Sequence, residues 1–98
     1  MSDQDYQAAL AHALVSLTPG VDSARIAGQG ASQFLVLDKG DRCVELYRGD
    51  SDQWVIDPAI GQELQGEIIY ESYSSAANAA LYWLNGASRD ELGPKGSD

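Results

Sequence analysis

The side chains that could carry out covalent chemistry in this sequence include a serine in a Gly-Asp-Ser turn. Ser51 follows Gly49 and Asp50, between two segments with the alternating pattern of β-strands. A serine nucleophile needs a base within reach of its hydroxyl group. His12, the only histidine, lies far upstream on the polar side of a predicted helix. The residues around Ser51 are therefore better explained as a tight turn than as a catalytic site.

A second candidate nucleophile is Cys43, which lies in the middle of a predicted strand beside Arg42. An activated cysteine normally has a histidine or a helix N-terminus close by, and the sequence places neither there. Glu45, Glu67 and Glu71 could form an acid/base pair, but catalytic carboxylates need a cleft that separates their pKa values. The sequence predicts no such cleft, so no catalytic residue is assigned.

The acidic turn residues and one glycine pair are the candidates for a metal or cofactor site. Asp50, Asp52 and Asp57 could supply oxygen ligands to calcium, yet their spacing lacks the glycine and the distal glutamate of an EF-hand loop. The segment 28–30, Gly-Gln-Gly, lacks the third glycine of a phosphate-binding loop. We therefore expect no metal ion and no cofactor.

The charge balance restricts the classes of partner. Fifteen acidic residues oppose six basic ones, which gives a net charge of −9. Nucleic-acid affinity rests largely on Lys and Arg, and anionic membranes also attract basic surfaces. We expect neither nucleic acid nor membrane as a partner. The charge favours either simple solubility or a basic protein partner.

The location expected from the sequence is the cytoplasm. The single cysteine excludes an intramolecular disulfide. The first residues carry acids where a signal peptide would carry positive charge. No run of apolar residues approaches the roughly 20 needed to cross a bilayer.

The best-marked structural segment is 66–86, which has the pattern of a strand followed by a helix. Ser74 or Ser75 is expected to cap the helix, and Gly86 to end it. A first helix is predicted over 3–17 because its apolar residues recur at helical spacing.

Between these segments the sequence predicts three further strands, at 33–37, 42–48 and 53–56. Asp57-Pro58 is expected to break the last of them, with a loop over 59–65. The segment 21–32 contains either a short edge strand around 24–27 or an irregular connection. Short connections between the strands favour an antiparallel meander.

Alternation within the four strands separates two sheet faces. The predicted core face consists of Phe34, Val36, Val44, Leu46, Trp54, Ile56, Ile68 and Tyr70. The second face consists of Leu35, Leu37, Cys43, Glu45, Tyr47, Val55, Asp57, Glu67, Ile69 and Glu71. This second face mixes apolar and acidic residues, so it is either an ordinary open sheet surface or a partner or dimer surface with an acidic rim.

The sequence thus predicts an α+β two-layer sandwich of order α-β-β-β-β-α, with a four-stranded antiparallel meander and both helices on one face. Residues 1–86 form the single domain, and 87–98 a mobile polar tail. The predicted function is a non-enzymatic protein-interaction or regulatory module. Its candidate contact residues are Tyr47, Asp50, Asp52, Ile69 and Glu71.

Two alternatives remain open. One is an acidic inhibitor of a basic partner, similar in action to an immunity protein or a nucleic-acid mimic. The other, less favoured, is a small hydrolase that uses Ser51 or Cys43.

Overall fold

Two helices and six antiparallel strands form the fold in the computed structural model, which describes residues 3–50 and 53–92. The elements are α1 (Asp3–Leu17), β1 (Ser23–Ala27), β2 (Phe34–Lys39), β3 (Arg42–Arg48), β4 (Trp54–Ile60), β5 (Glu63–Leu64), β6 (Ile68–Tyr70) and α2 (Tyr73–Leu84). Strands β1 to β4 lie side by side in chain order, and β5 and β6 both pair with the outer side of β4. The predicted α+β class and antiparallel meander are confirmed, with β1 as an additional edge strand.

Helix α2 begins at a serine and ends at a glycine. The hydroxyl oxygen of Ser72 accepts the backbone N–H of Ser75 at 3.2 Å, so Ser72 is the cap, and not the predicted Ser74 or Ser75. The extended backbone of Ser72 allows this bond one residue before the helix starts. Gly86, at φ 107°, ends the helix as predicted, in the left-handed conformation that favours glycine.

The turn between β2 and β3 fixes the register of the sheet. Lys39 pairs with Arg42, which leaves Gly40 and Asp41 as a two-residue hairpin turn. Gly40 has a φ of 62°, and the common hairpin turns require a positive φ at this first central position.

This register corrects the predicted facing of β2. Leu35 pairs with Leu46, and Leu37 with Val44, so both leucines lie on the helix-covered side and are fully buried. Phe34 and Val36 therefore lie on the opposite side, where the two leucines were predicted. Alternation within a strand separates two sets of residues, but only the turn decides which set faces the core, and a shift of one residue exchanges the faces.

Strand β4 also differs from the prediction, because it continues through Asp57 and Pro58 to Ile60. The carbonyl of Pro58 accepts the N–H of Gln65 at 2.9 Å. The proline nitrogen points to the same side as its carbonyl, towards the gap between β5 and β6. No strand pairs with β4 in this gap, so the missing N–H group of proline costs no ladder hydrogen bond. The segment predicted as a loop over 59–65 consequently contains the end of β4 and all of β5.

Both helices cover the same face of the sheet, as predicted, and build one core with it. The largest fully buried side chains are Tyr6, Leu10, Leu35, Leu37, Val44, Leu46, Ile56, Pro58, Ile68 and Trp83. Small residues of α2, including Ala76 and Ala80, are also fully buried, which lets this helix lie close to the strands.

Trp83 ties α2 to the two central strands. Its ring is buried, and its Nε1–H group donates to the carbonyls of Cys43 at 3.1 Å and Ala59 at 3.3 Å. The guanidinium of Arg42 lies 4.1 Å above the centre of the same ring. Trp83 is thus a central core residue, although helical spacing places it only on the flank of the apolar stripe.

Residues 87–92 differ from the predicted mobile tail, because they pack against the domain. Arg42 donates to the carbonyl of Ala87 at 2.5 Å, and the hydroxyl of Tyr70 donates to the carbonyl of Leu92 at 2.5 Å. Leu92 itself is buried at the edge of the core. The remainder of the predicted tail, 93–98, lies outside the described residues.

Candidate interaction surface

The side of the sheet away from both helices carries a mixed set of side chains, which we call the open sheet face. Its members alternate along each strand with the core residues and stand beside one another in the strand register. They include Arg25, Phe34, Val36, Asp38, Cys43, Glu45, Tyr47, Val55, Asp57, Glu67 and Ile69. Neither α1 nor α2 packs on this face.

Apolar side chains form a row across three strands of the open sheet face. Tyr47 pairs with Val55, and Val55 with Ile69. Val55 is buried between its neighbours, whereas Tyr47 and Ile69 are half-buried. Phe34 and Val36 extend this apolar surface onto β2. The row is continuous and lies on a side of the sheet that neither helix covers.

Carboxylates interrupt the apolar surface at directly opposed positions. Glu45 on β3 pairs with Asp57 on β4, so two acidic side chains stand next to each other in the sheet. Burial raises the pKa of Glu45, and the charge of Asp57 raises it further, while Arg25 lowers it. Burial likewise raises the pKa of Asp57, with a contribution from Glu67. Like charges in direct opposition destabilise a sheet.

Tyr47 connects the apolar row to the acidic residues. Its hydroxyl donates a hydrogen bond to the carboxylate of Glu67. Burial, this hydrogen bond and the nearby carboxylates together raise the pKa of the Tyr47 phenol far above its ordinary value. Tyr47 is therefore a neutral hydrogen-bond donor throughout the physiological pH range.

Cys43 lies on the open sheet face but in surroundings that oppose its ionisation. Burial raises the pKa of the thiol, and the charges of Asp38, Glu45 and Asp57 raise it further. A nucleophilic cysteine requires the opposite shift. His12 belongs to a different part of the molecule, since it lies on the exposed side of α1 with 3.4 Å between its Nε2 and the hydroxyl oxygen of Ser16.

A cavity of about 430 Å³ adjoins the open sheet face at the start of β2 and the end of β3. Three aromatic side chains contribute to its walls, those of Tyr6, Phe34 and Tyr47. The hydroxyl of Tyr6 donates to the carbonyl of Gln33 at 2.5 Å, which holds α1 against the start of β2.

Three charged side chains also line this cavity, namely Glu45, Arg48 and Asp50. The guanidinium of Arg48 lies 4.5 Å above the centre of the Tyr6 ring, within the range of a cation–π contact. Residues 32–33 and Gly49 complete the lining.

The structure brings two of the predicted contact residues together. Tyr47 and Ile69 belong to the same apolar row of the open sheet face, separated by Val55. Alternation along β3 and β6 therefore placed both residues on the same side of the sheet, and their contact with a partner stays a prediction.

The acidic members of the predicted contact set lie apart from that row. Asp50 is exposed and lines the cavity, and Glu71 is exposed just beyond the end of β6. Asp52 lies outside the described residues, as does Ser51.

Four residues of the open sheet face were not predicted from the sequence to lie on this face. Phe34 and Val36 were assigned to the core, and Arg25 and Asp38 were not assigned to any face. The signal that identifies the first two is the two-residue turn at Gly40, since it fixes which residues of β2 and β3 are paired. The position of Arg25 on the open sheet face then follows from its pairing with Val36.

Within residues 3–50 and 53–92, no three histidine, cysteine or carboxylate side chains are grouped closely enough to hold a metal ion. Over the same part of the chain, neither helix has the length and apolar character required to span a membrane.

No known protein family, characterised protein or solved structure matches this chain.

Proposed function

We propose that this protein is a non-enzymatic protein-interaction module that docks a partner through the open sheet face. The observation that supports this function is the apolar row of Tyr47, Val55 and Ile69, which lies on a sheet side that neither helix covers. Contiguous apolar surface on a small domain is typical of a contact site.

The charges of the open sheet face favour a partner that presents both apolar and basic side chains. Among the described residues, the face carries the carboxylates of Asp38, Glu45, Asp57 and Glu67, against the guanidinium of Arg25. Two copies of the face would bring like charges together, so complementarity favours a different, basic protein over self-association.

The test compares two substitutions that add the same charge on opposite sides of the molecule. Ile69→Glu places a carboxylate in the apolar row, whereas Tyr82→Glu places one on α2, where the tyrosine is 67% exposed. A partner captured with the unmodified protein is purified, and its affinity is measured by titration calorimetry. We expect roughly a tenfold loss or more for Ile69→Glu, since one disrupted anchor residue commonly costs over 1 kcal/mol of binding free energy, and none for Tyr82→Glu.

Circular dichroism of both variants serves as the control for folding. Equal affinity of Ile69→Glu and the parent protein would contradict the proposal. Sedimentation that shows a dimer in the parent protein and a monomer in Ile69→Glu would replace the basic partner with a second copy of the chain.

A second candidate function, an acidic inhibitor that covers a basic active site, is favoured by the opposed carboxylates of Glu45 and Asp57. Repulsion between these two carboxylates destabilises the isolated sheet, and basic residues of a target would neutralise their charges. An inhibitor of this type should lose affinity steeply between about 50 mM and 500 mM salt, because its contacts are mainly charged. An affinity that is insensitive to salt would exclude it in favour of the apolar contact.

We infer that the module acts in the cytoplasm and that its thiol is not a nucleophile. The free thiol of Cys43 supports a reducing compartment, and its raised pKa supports an inert thiol. Recovery of the full chain in a secreted fraction would overturn the location. Loss of partner binding on Cys43→Ser, with the fold intact, would show that the thiol has a role after all.

A further inference from the structure

The cavity at the start of β2 shares part of its lining with the open sheet face. Phe34, Glu45 and Tyr47 belong to both, so a protein that docks on the face reaches the cavity without leaving the surface. The volume of about 430 Å³ lies near the lower end of the range for ligand pockets, roughly 300–1,000 Å³. It therefore suits a single extended side chain or a small ligand.

We propose that this cavity receives one basic side chain, a lysine or an arginine, of the docked partner. This inference rests on the proposed function, because the partner is what delivers the side chain. The lining contains the two kinds of residue that recognise an organic cation, which are aromatic and carboxylate residues.

The charges of the lining residues determine whether the cavity favours a cation or an anion. Glu45 and Asp50 contribute two negative charges, and Arg48 contributes one positive charge. An entering cation would neutralise the remaining negative charge, whereas an entering anion would add to it. Arg48 already lies over the Tyr6 ring, and the other two aromatic residues of the lining are Phe34 and Tyr47.

Burial strengthens this preference. The Glu45 carboxylate is partly buried and stands opposite Asp57, and both effects disfavour its charged form, while the nearby Arg25 offsets them only in part. A cation bound beside it would offset that repulsion. Charge pairs are stronger in partly buried sites than at an exposed surface, since solvent screens them less.

The test uses small probes, so it does not depend on having identified the partner. The blocked amino acids N-acetyl-lysine methylamide and N-acetyl-arginine methylamide supply the cation, and N-acetyl-norleucine methylamide is the uncharged match for lysine. Binding is followed by the amide shifts of the isotope-labelled full chain. We expect saturable shifts at Phe34, Glu45 and Tyr47 with the two cations, and binding about fivefold weaker with norleucine.

Two substitutions in the cavity and one outside it complete the design. Glu45→Gln removes one charge at constant shape and should lower the affinity for the cationic probes about fivefold. Phe34→Leu should also lower this affinity, because it removes an aromatic ring. Glu63→Gln makes the same charge change at the other end of the sheet, where Glu63 pairs with Ile60, and should have no effect.

Equal binding of norleucine and lysine probes would overturn the cavity proposal, as would amide shifts caused by inorganic phosphate in place of the cations. Saturable cation binding, together with a partner that is insensitive to Ile69→Glu, would support the cavity and overturn the docking face. A partner lost on Ile69→Glu without any response to the cationic probes would overturn the cavity alone.

Discussion

The two faces of the sheet are built from the same strands but use their side chains differently. On the helix-covered face, Leu46 and Ile56 are paired and completely buried. One residue earlier in β3, and one later in β4, the open sheet face pairs two carboxylates, Glu45 and Asp57. The covered face stabilises the fold, whereas the open face combines apolar side chains with charges that oppose folding. The proposed function accounts for these opposed charges as contacts for a basic partner.

The largest expected effect comes from two adjacent isoleucines on β6. Ile68 is fully buried on the covered face, whereas Ile69 is half-buried on the open face. Ile68→Ala should lower the free energy of unfolding by about 2–5 kcal/mol, because it leaves a cavity in the core. Ile69→Ala should cost about 1 kcal/mol or less, because solvent already reaches the side chain.

Urea denaturation of both variants measures these losses from the transition midpoints at constant slope. The contrast between the faces breaks down if Ile69→Ala destabilises the protein as much as Ile68→Ala does.

An intermediate effect is expected at Arg42, which joins the covered face to the residues after α2. Its guanidinium lies on Trp83 and donates to the carbonyls of Trp83 at 2.8 Å and Ala87 at 2.5 Å. Arg42→Ala should lower the free energy of unfolding by about 1–3 kcal/mol. Arg42→Lys, which keeps the charge but loses the planar fork, should have a stability between those of the parent and Arg42→Ala in the same denaturation experiment. A lysine variant as stable as the parent protein would show that charge alone is sufficient there.

The smallest effect, of opposite sign, is expected on the open face. Glu45→Gln removes one of two opposed carboxylates and should raise the free energy of unfolding at pH 7 by about 0.2–1 kcal/mol. The same substitution is expected to weaken the cationic probes, so stability and binding should change in opposite directions.

The pH dependence of this effect follows from the raised pKa values of Glu45 and Asp57. Between the ordinary pKa values, 4.5 and 3.8, and the raised values, the folded protein binds more protons than the unfolded chain. Stability from these groups is therefore fully present below their ordinary pKa values and is lost as pH rises through the raised ones. The increase in the free energy of unfolding caused by Glu45→Gln should be largest near neutral pH. It should be smallest at about pH 3, where both carboxyl groups are protonated. A larger gain in acid would contradict this account.

The fold class was predictable from the sequence because its signals are local. Apolar spacing identified both helices, and Gly86 identified the end of α2. The facing of β2 was predicted in reverse, because strand register depends on which two residues form the turn at Gly40. Pro58 was wrongly predicted to break β4, because its tolerance depends on the gap in the neighbouring strand, which is a tertiary property.

The candidate site was predictable only in part. Alternation along β3 and β6 was sufficient to place Tyr47 and Ile69 on the same face as Glu45. The cavity could not be anticipated, because its walls come from α1, the start of β2 and the end of β3. The position of Tyr6 over this cavity depends on its bond to the Gln33 carbonyl, across 27 residues of chain. No local pattern reports such a contact.

The divided outer border of the sheet at β5 and β6 limits how another polypeptide can join this molecule. A two-residue and a three-residue segment, separated at the point where Pro58 offers no donor, give an incoming strand no long ladder to extend. This border therefore disfavours strand addition, and with it the edge-to-edge aggregation that strand addition can start. Under the proposed function, the partner contacts side chains on the flat of the sheet and not this border.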